Sequence, residues 1–75
     1  MAKLPVLSGL DVIKILKKVD YIVDHINGDH AILINRDNPS RMISVPLHTE
    51  LKKGTLGSII KYSGLSRDEF LALMK

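Results

Sequence analysis

Apolar side chains recur with two different periods along this chain, and the change of period marks its elements. Val12, Ile13, Ile15, Leu16 and Val19 fall on one side of a 3.6-residue helix, whereas Lys14, Lys17 and Lys18 fall on the other with Leu10 among them. Ser8-Gly9-Leu10-Asp11 stands just ahead with the spacing of a capping box, in which hydroxyl and carboxylate satisfy free N–H groups at a helix start. Together they predict a helix from about Gly9 to Lys18. From Tyr21 the residues become β-branched and aromatic. Tyr21-Ile22-Val23-Asp24-His25-Ile26 reads as a strand ending at the turn pair Asn27-Gly28. His30 to Asn35, with Ala31-Ile32-Leu33-Ile34 inside it, reads as a second strand, closed by the turn formers Arg36-Asp37-Asn38-Pro39-Ser40. Arg41 to Val45 is a third, limited by Pro46, which has no N–H for a sheet ladder. Leu56, Ile59 and Ile60 return to helical spacing and predict a helix over roughly Gly54 to Ser63, with Gly64 placed as its left-handed end. Ser66 and Glu69 repeat the capping-box spacing before Phe70, Leu71, Leu73 and Met74, which predicts a short third helix.

The order is therefore αβββα with a helical tail. A three-stranded antiparallel meander has one face for helices to cover, so the expected fold class is a two-layer α+β domain. Seventy-five residues, without an internal repeat or linker, suit a single domain over 1–75 with one modest core. The apolar residues come in short runs, far from the ~20 consecutive positions of a membrane span. The N-terminus lacks the basic start and long apolar stretch of a secretory signal, so a cytoplasmic location and no membrane partner are expected. With no cysteine, disulfides and thiolate metal sites are excluded. The net charge of +3 is a weak pointer to an anionic partner, but its distribution says more. Lys3, Lys14, Lys17 and Lys18 make one end basic, and Lys52, Lys53, Lys61, Arg67 and Lys75 the other. Between them Asp20, Asp24, Asp29, Asp37 and Glu50 outnumber Arg36 and Arg41.

Several of these segments match a known family in their order and spacing. Leu4-Pro5-Val6-Leu7-Ser8-Gly9, Gly28-Asp29-His30, Val45-Pro46-Leu47-His48, Leu51-Lys52-Lys53-Gly54-Thr55-Leu56 and Gly64-Leu65-Ser66 resemble the HicA toxins over nearly the whole chain. The resemblance implies a double-stranded-RNA-binding-like fold, an mRNA endonuclease activity that needs no metal or other cofactor, and a HicB-like antitoxin as partner. It makes His30 the catalytic residue. The chain departs from the family twice, with Asp29 where a Ser usually precedes the histidine and Asp20 where a Gly usually precedes the aromatic residue.

The chemistry of the residues agrees with this. Cutting RNA without a metal needs a group to take the 2′-hydroxyl proton or to protonate the leaving oxygen, and an imidazole with a reference pKa of ~6.5 suits either. Alternation puts His30 on the face of Ile32 and Ile34. If that is the covered face, His30 sits at the edge of the core. Asp29 would point away from it in a regular strand, while a twist or bulge that joined them would favour imidazolium and also repel phosphate. His48 is the second catalytic candidate, although its loop position equally suits capping the second helix or shaping the turn. His25 lies in no matched motif and reads as a surface strand residue.

Lys52 and Lys53, just ahead of the second helix, combine with its free N–H groups into a candidate phosphate site, to which Gly28 and Thr55 belong as further RNA contacts. Lys14, Lys17 and Lys18 could extend the basic track, but an amphipathic helix shows such a face anyway. With only Tyr21, Tyr62 and Phe70 aromatic, backbone and shape contacts to RNA are favoured over base stacking. No two histidines show helical metal-ligand spacing, so no metal is expected. Two alternatives belong to other classes. One is a noncatalytic RNA-binding or partner-binding module of the same fold. The other is a structural interaction domain docking through Leu10, Phe70, Leu71 and Met74.

Overall fold

The computed structural model describes residues 5–74, so Lys3 and Leu4 of the N-terminal stretch and Lys75 lie outside the described residues. The elements follow in the order α1 (Gly9–Lys17), β1 (Tyr21–Asn27), β2 (His30–Asn35), β3 (Met42–Pro46), α2 (Lys53–Ser63) and α3 (Arg67–Ala72). This is the expected αβββα architecture with a short C-terminal helix. Each boundary has a local cause. Ser8 Oγ accepts from the Asp11 amide and Asp11 Oδ2 accepts from the Ser8 amide, both at 3.1 Å, closing the box that starts α1. Ser66 and Glu69 do the same for α3. Gly64 ends α2 at φ 82°, and its amide donates to the Lys61 carbonyl. Asp20 turns the chain from α1 into β1 at φ 68°, a left-handed conformation that costs an L residue about 1 kcal/mol and that Asp tolerates better than most. Its carbonyl accepts from the Arg36 amide at 2.8 Å, which ties that corner to the end of β2.

The sheet order is β1-β2-β3, antiparallel throughout. Asn27 pairs with His30, so the two-residue turn is Gly28-Asp29 and not the Asn27-Gly28 read from the sequence. Gly28 takes φ 63° at the first central position and Asp29 does not share it, the sign pattern of a type II′ turn, which demands glycine first. A bulge between Val23 and His25 leaves Asp24 without a partner and lets the hairpin close in this register.

The covered face carries Ala31 and Leu33 of β2, packed beside Val45 and Ile43 of β3 and completed by Tyr21 and the half-buried Val23 of β1. His30, Ile32 and Ile34 therefore stand on the uncovered face, and the expectation that they might line the core is corrected. Both faces of β2 are apolar, so alternation within β2 alone does not choose between them. The register does, because it sets Leu33 and Ala31 opposite Ile43 and Val45 but Ile32 opposite Ser44. Val12, Ile13, Ile15 and Leu16 of α1, Leu56, Ile59 and Ile60 of α2, and Phe70 of α3 fill the space above the sheet. Burying Phe70 completely is worth roughly 2–3 kcal/mol, and it removes Phe70 from the set of docking residues. Leu71 is half-buried, and only Leu10 and Met74 of that proposed set are exposed. Tyr21 Oη donates to the Ser63 carbonyl at 3.3 Å and ties β1 to the end of α2. No described helix is long and apolar enough to cross a membrane.

The two capping boxes set an acid limit on stability. Hydrogen bonds from the Ser8 backbone and side chain hold the Asp11 carboxyl below its ordinary 3.8, and those of Ser66 hold Glu69 below 4.5. Carboxyls lowered by folding bind protons more readily in the unfolded chain, so their contribution is complete above those ordinary values and disappears as pH falls through the lower, folded ones. The unfolding temperature is expected to be level above about pH 5 and to fall below about pH 4. An Asp11→Asn, Glu69→Gln double variant should lose part of that acid-side drop; an unchanged profile would remove the boxes as its source.

Candidate active site

The turn that closes the first hairpin also creates the chemically richest cluster among the described residues. Asp29 occupies its second position and so escapes the alternation of a strand, which is why its side chain can reach His30 where regular geometry pointed it away. Asp29 Oδ1 lies 2.8 Å from His30 Nδ1. The other oxygen, Oδ2, accepts from His48 Nε2 at 3.1 Å, across a separation of nineteen residues. The two imidazole rings stand 6.5 Å apart between centroids, inclined at 61°. One carboxylate thus bridges the two histidines of the matched motifs.

The backbone builds this cluster. Pairing of β2 with β3 ends at His30 and Pro46, and beyond it the Leu47 amide donates to the Asp29 carbonyl at 2.6 Å. The next residue, His48, is thereby delivered to the hairpin turn. Its own carbonyl accepts from the Gly9 amide at 2.9 Å, and the Leu51 amide donates to Leu7 at 2.8 Å, so the start of α1 clasps the segment from the other side. The helix-capping alternative for His48 is not realised, since no side chain caps α2.

All three side chains remain open to solvent, at 43% for His30, 56% for His48 and 66% for Asp29, so a large polyanion can reach them. The His48 hydrogen bond, followed by the charge of a protonated His30, holds the Asp29 carboxyl below its ordinary 3.8. Asp29 is an anion at neutral pH and can only accept hydrogen bonds. Nε2 of His48, hydrogen-bonded to it, therefore carries a proton, and the carboxylate beside Nδ1 of His30 favours a proton there as well. His30 Nε2 and His48 Nδ1 are left without a protein partner among the described residues. Each can accept a proton when its ring is neutral and donate one when it is charged. Among the described residues no group of three His, Asp or Glu side chains could hold a metal ion.

The other candidates are placed as follows. Gly28 precedes Asp29 in the turn. Lys52 and Lys53 are the N-cap and first residue of α2, one position further into the helix than read from sequence, and Thr55 completes its first turn. That helix start has no acidic residue and no side-chain cap, and neither lysine is in an ion pair among the described residues. No hydrogen bond or ion pair joins these residues to the histidines. Lys18 donates to the Leu73 carbonyl at 2.7 Å and so serves to hold the C-terminal tail. His25 lies exposed on β1, paired at 2.8 Å with the bulged Asp24. Asp29 itself is the residue that sequence reasoning left unassigned. Its signal was its place beside a glycine turn, which frees the side chain from strand alternation.

The family model for the HicA toxin of bacterial toxin-antitoxin matches residues 9–65, a stretch that contains both histidines and all four RNA-contact candidates. A search of curated proteins finds no match.

Proposed function

The chain belongs to the HicA toxin family, and from that premise we propose that it is a metal-independent endoribonuclease that cleaves mRNA with His30 as its catalytic histidine. Members of the family are toxins of toxin–antitoxin systems and in general ribonucleases, which implies an RNA target and an antitoxin partner. For this chain the proposed antitoxin is HicB-like and blocks the site until it is removed. The observation that supports the reading best is the meeting of His30 and His48, 6.5 Å apart, from segments the sequence keeps separate. Two imidazoles at that spacing can serve the two ends of one phosphoryl transfer, one taking the 2′-hydroxyl proton and one giving a proton to the leaving oxygen.

Binding is assigned to the RNA backbone. Lys52 and Lys53 stand at a helix start whose free N–H groups and dipole favour anions, and Gly28 and Thr55 offer close approach and a hydroxyl. An aromatic platform for bases is not needed.

Purified protein incubated with RNA and a chelator is expected to yield fragments ending in a cyclic phosphate and beginning with a 5′-hydroxyl. Mass spectrometry of the fragments reads both ends. Intact RNA with salt-sensitive binding would instead establish the noncatalytic RNA-binding module.

A further inference from the structure

We propose that Asp29 is a positioning residue that holds His30 and His48 as complementary halves of one acid–base pair. The inference rests on the ribonuclease reading for its functional meaning. Its structural basis is independent of that reading. The Asp29 backbone is fixed by the hairpin turn on one side and by the Leu47 amide on the other, so the carboxylate starts from a rigid base. Both of its oxygens are engaged, one by each imidazole, at 2.8 and 3.1 Å. Because a carboxylate only accepts, it selects the proton-bearing nitrogen on each ring and leaves the opposite nitrogen for substrate. A serine at this position would offer one oxygen and no charge, and so could not present a separate anionic oxygen to each imidazole.

The bridge also suits the course of the reaction. As O2′ attacks phosphorus, its proton passes to Nε2 of neutral His30 while the O2′–P bond forms. The P–O5′ bond breaks, its electron pair stays on O5′, and O5′ takes the Nδ1 proton of a protonated His48. The products are a cyclic phosphate and a 5′-hydroxyl, with no water, metal or oxidant consumed. His30 ends charged and His48 neutral, so one positive charge has moved between rings that both contact the same anion. Asp29 faces one imidazolium before the step and one after it, and needs no movement to do so. The accompanying disadvantage is repulsion of the RNA phosphate, which acts on binding and not on proton transfer. The two effects therefore separate in the kinetics.

The test compares the full chain with Asp29→Asn, Asp29→Ser and Asp29→Glu, each checked by circular dichroism. Initial rates on a labelled RNA oligonucleotide give kcat and KM, and ¹⁵N imidazole NMR identifies the proton-bearing ring nitrogens. Asn and Ser are expected to lower kcat by about tenfold or more, as loss of a tautomer-fixing carboxylate does elsewhere, with KM unchanged or smaller. Glu should recover part of kcat. In wild type, NMR should find the proton on Nδ1 of neutral His30, and the Ser variant should shift it towards Nε2. A Ser variant that cleaves as fast as wild type or faster, or one with unaltered tautomers, overturns the proposal. Should the wild-type chain leave RNA intact, the ribonuclease reading falls alone, and the tautomers still decide whether Asp29 positions the histidines.

Discussion

Replacing His30 with alanine is expected to slow RNA cleavage by about 10²- to 10⁴-fold, the range that a positioned proton-transfer group contributes, while the domain stays folded. The separation of the two effects follows from where His30 stands. It is the first residue of β2, on the uncovered sheet face, and its side chain meets Asp29 and not the core. Shortening it opens no cavity, and a surface change of this kind shifts stability by no more than ~0.5 kcal/mol. The backbone pairing of residue 30 with Asn27 and Pro46 does not depend on the ring. Cleavage of labelled RNA in the presence of a chelator, read beside a thermal unfolding curve, checks both halves. Undiminished cleavage by a folded variant would remove His30 from the mechanism, and growth arrest on expression should disappear together with the activity.

The Gly9→Ala variant should give the largest loss of stability, about 3 kcal/mol, the upper part of the overpacking range. Gly9 is buried at the start of α1, where its amide donates to the His48 carbonyl at 2.9 Å. A methyl group there would fall on the Pro46 carbonyl, which is backbone and cannot rotate away. Either α1 must lift or the segment leaving β3 must shift, and both break the Gly9–His48 bond. For a domain of this size the loss corresponds to a fall of roughly 12–24 °C in the unfolding temperature. Activity should fall as well, since His48 reaches Asp29 only from the segment that Gly9 clasps. Gly57→Ala in α2 is the control, because a methyl there meets nothing within 4 Å. A Gly9→Ala melting point close to wild type would disprove the close approach.

The contrast between these two sites indicates which parts of the molecule can be read from sequence. The α1 helix was legible because its signals are local: a capping box four residues long and an apolar stripe within three turns. The same holds for α3 and for the glycine that ends α2. His30 was legible through a resemblance of motifs, and its strand through β-branched residues between turn formers. The covered face of β2 was not, because Ala31 and Leu33 are no more apolar than Ile32 and Ile34. That choice belongs to the pairing with β3, which no single segment contains. Asp29 failed to be read for a related reason. Strand alternation stops at His30, and residue 29 lies in a turn where it no longer applies. The Asp29–His48 contact depends on the full register of β3 and on the clasp from Gly9, and so becomes visible only in three dimensions.

Phe70 of α3, wholly buried, has a consequence for synthesis. A ribosome delivers the chain from its N-terminus, so the hairpin with Asp29 and His30 emerges early and His48 follows within a few seconds at ~5–20 residues per second. The side chain that closes the core follows twenty-two residues after His48. A polypeptide halted before it would carry every residue of the histidine cluster on a scaffold with an open interior. The cluster therefore precedes its own closed scaffold during synthesis, and only a chain that has reached α3 holds the histidines on a complete core.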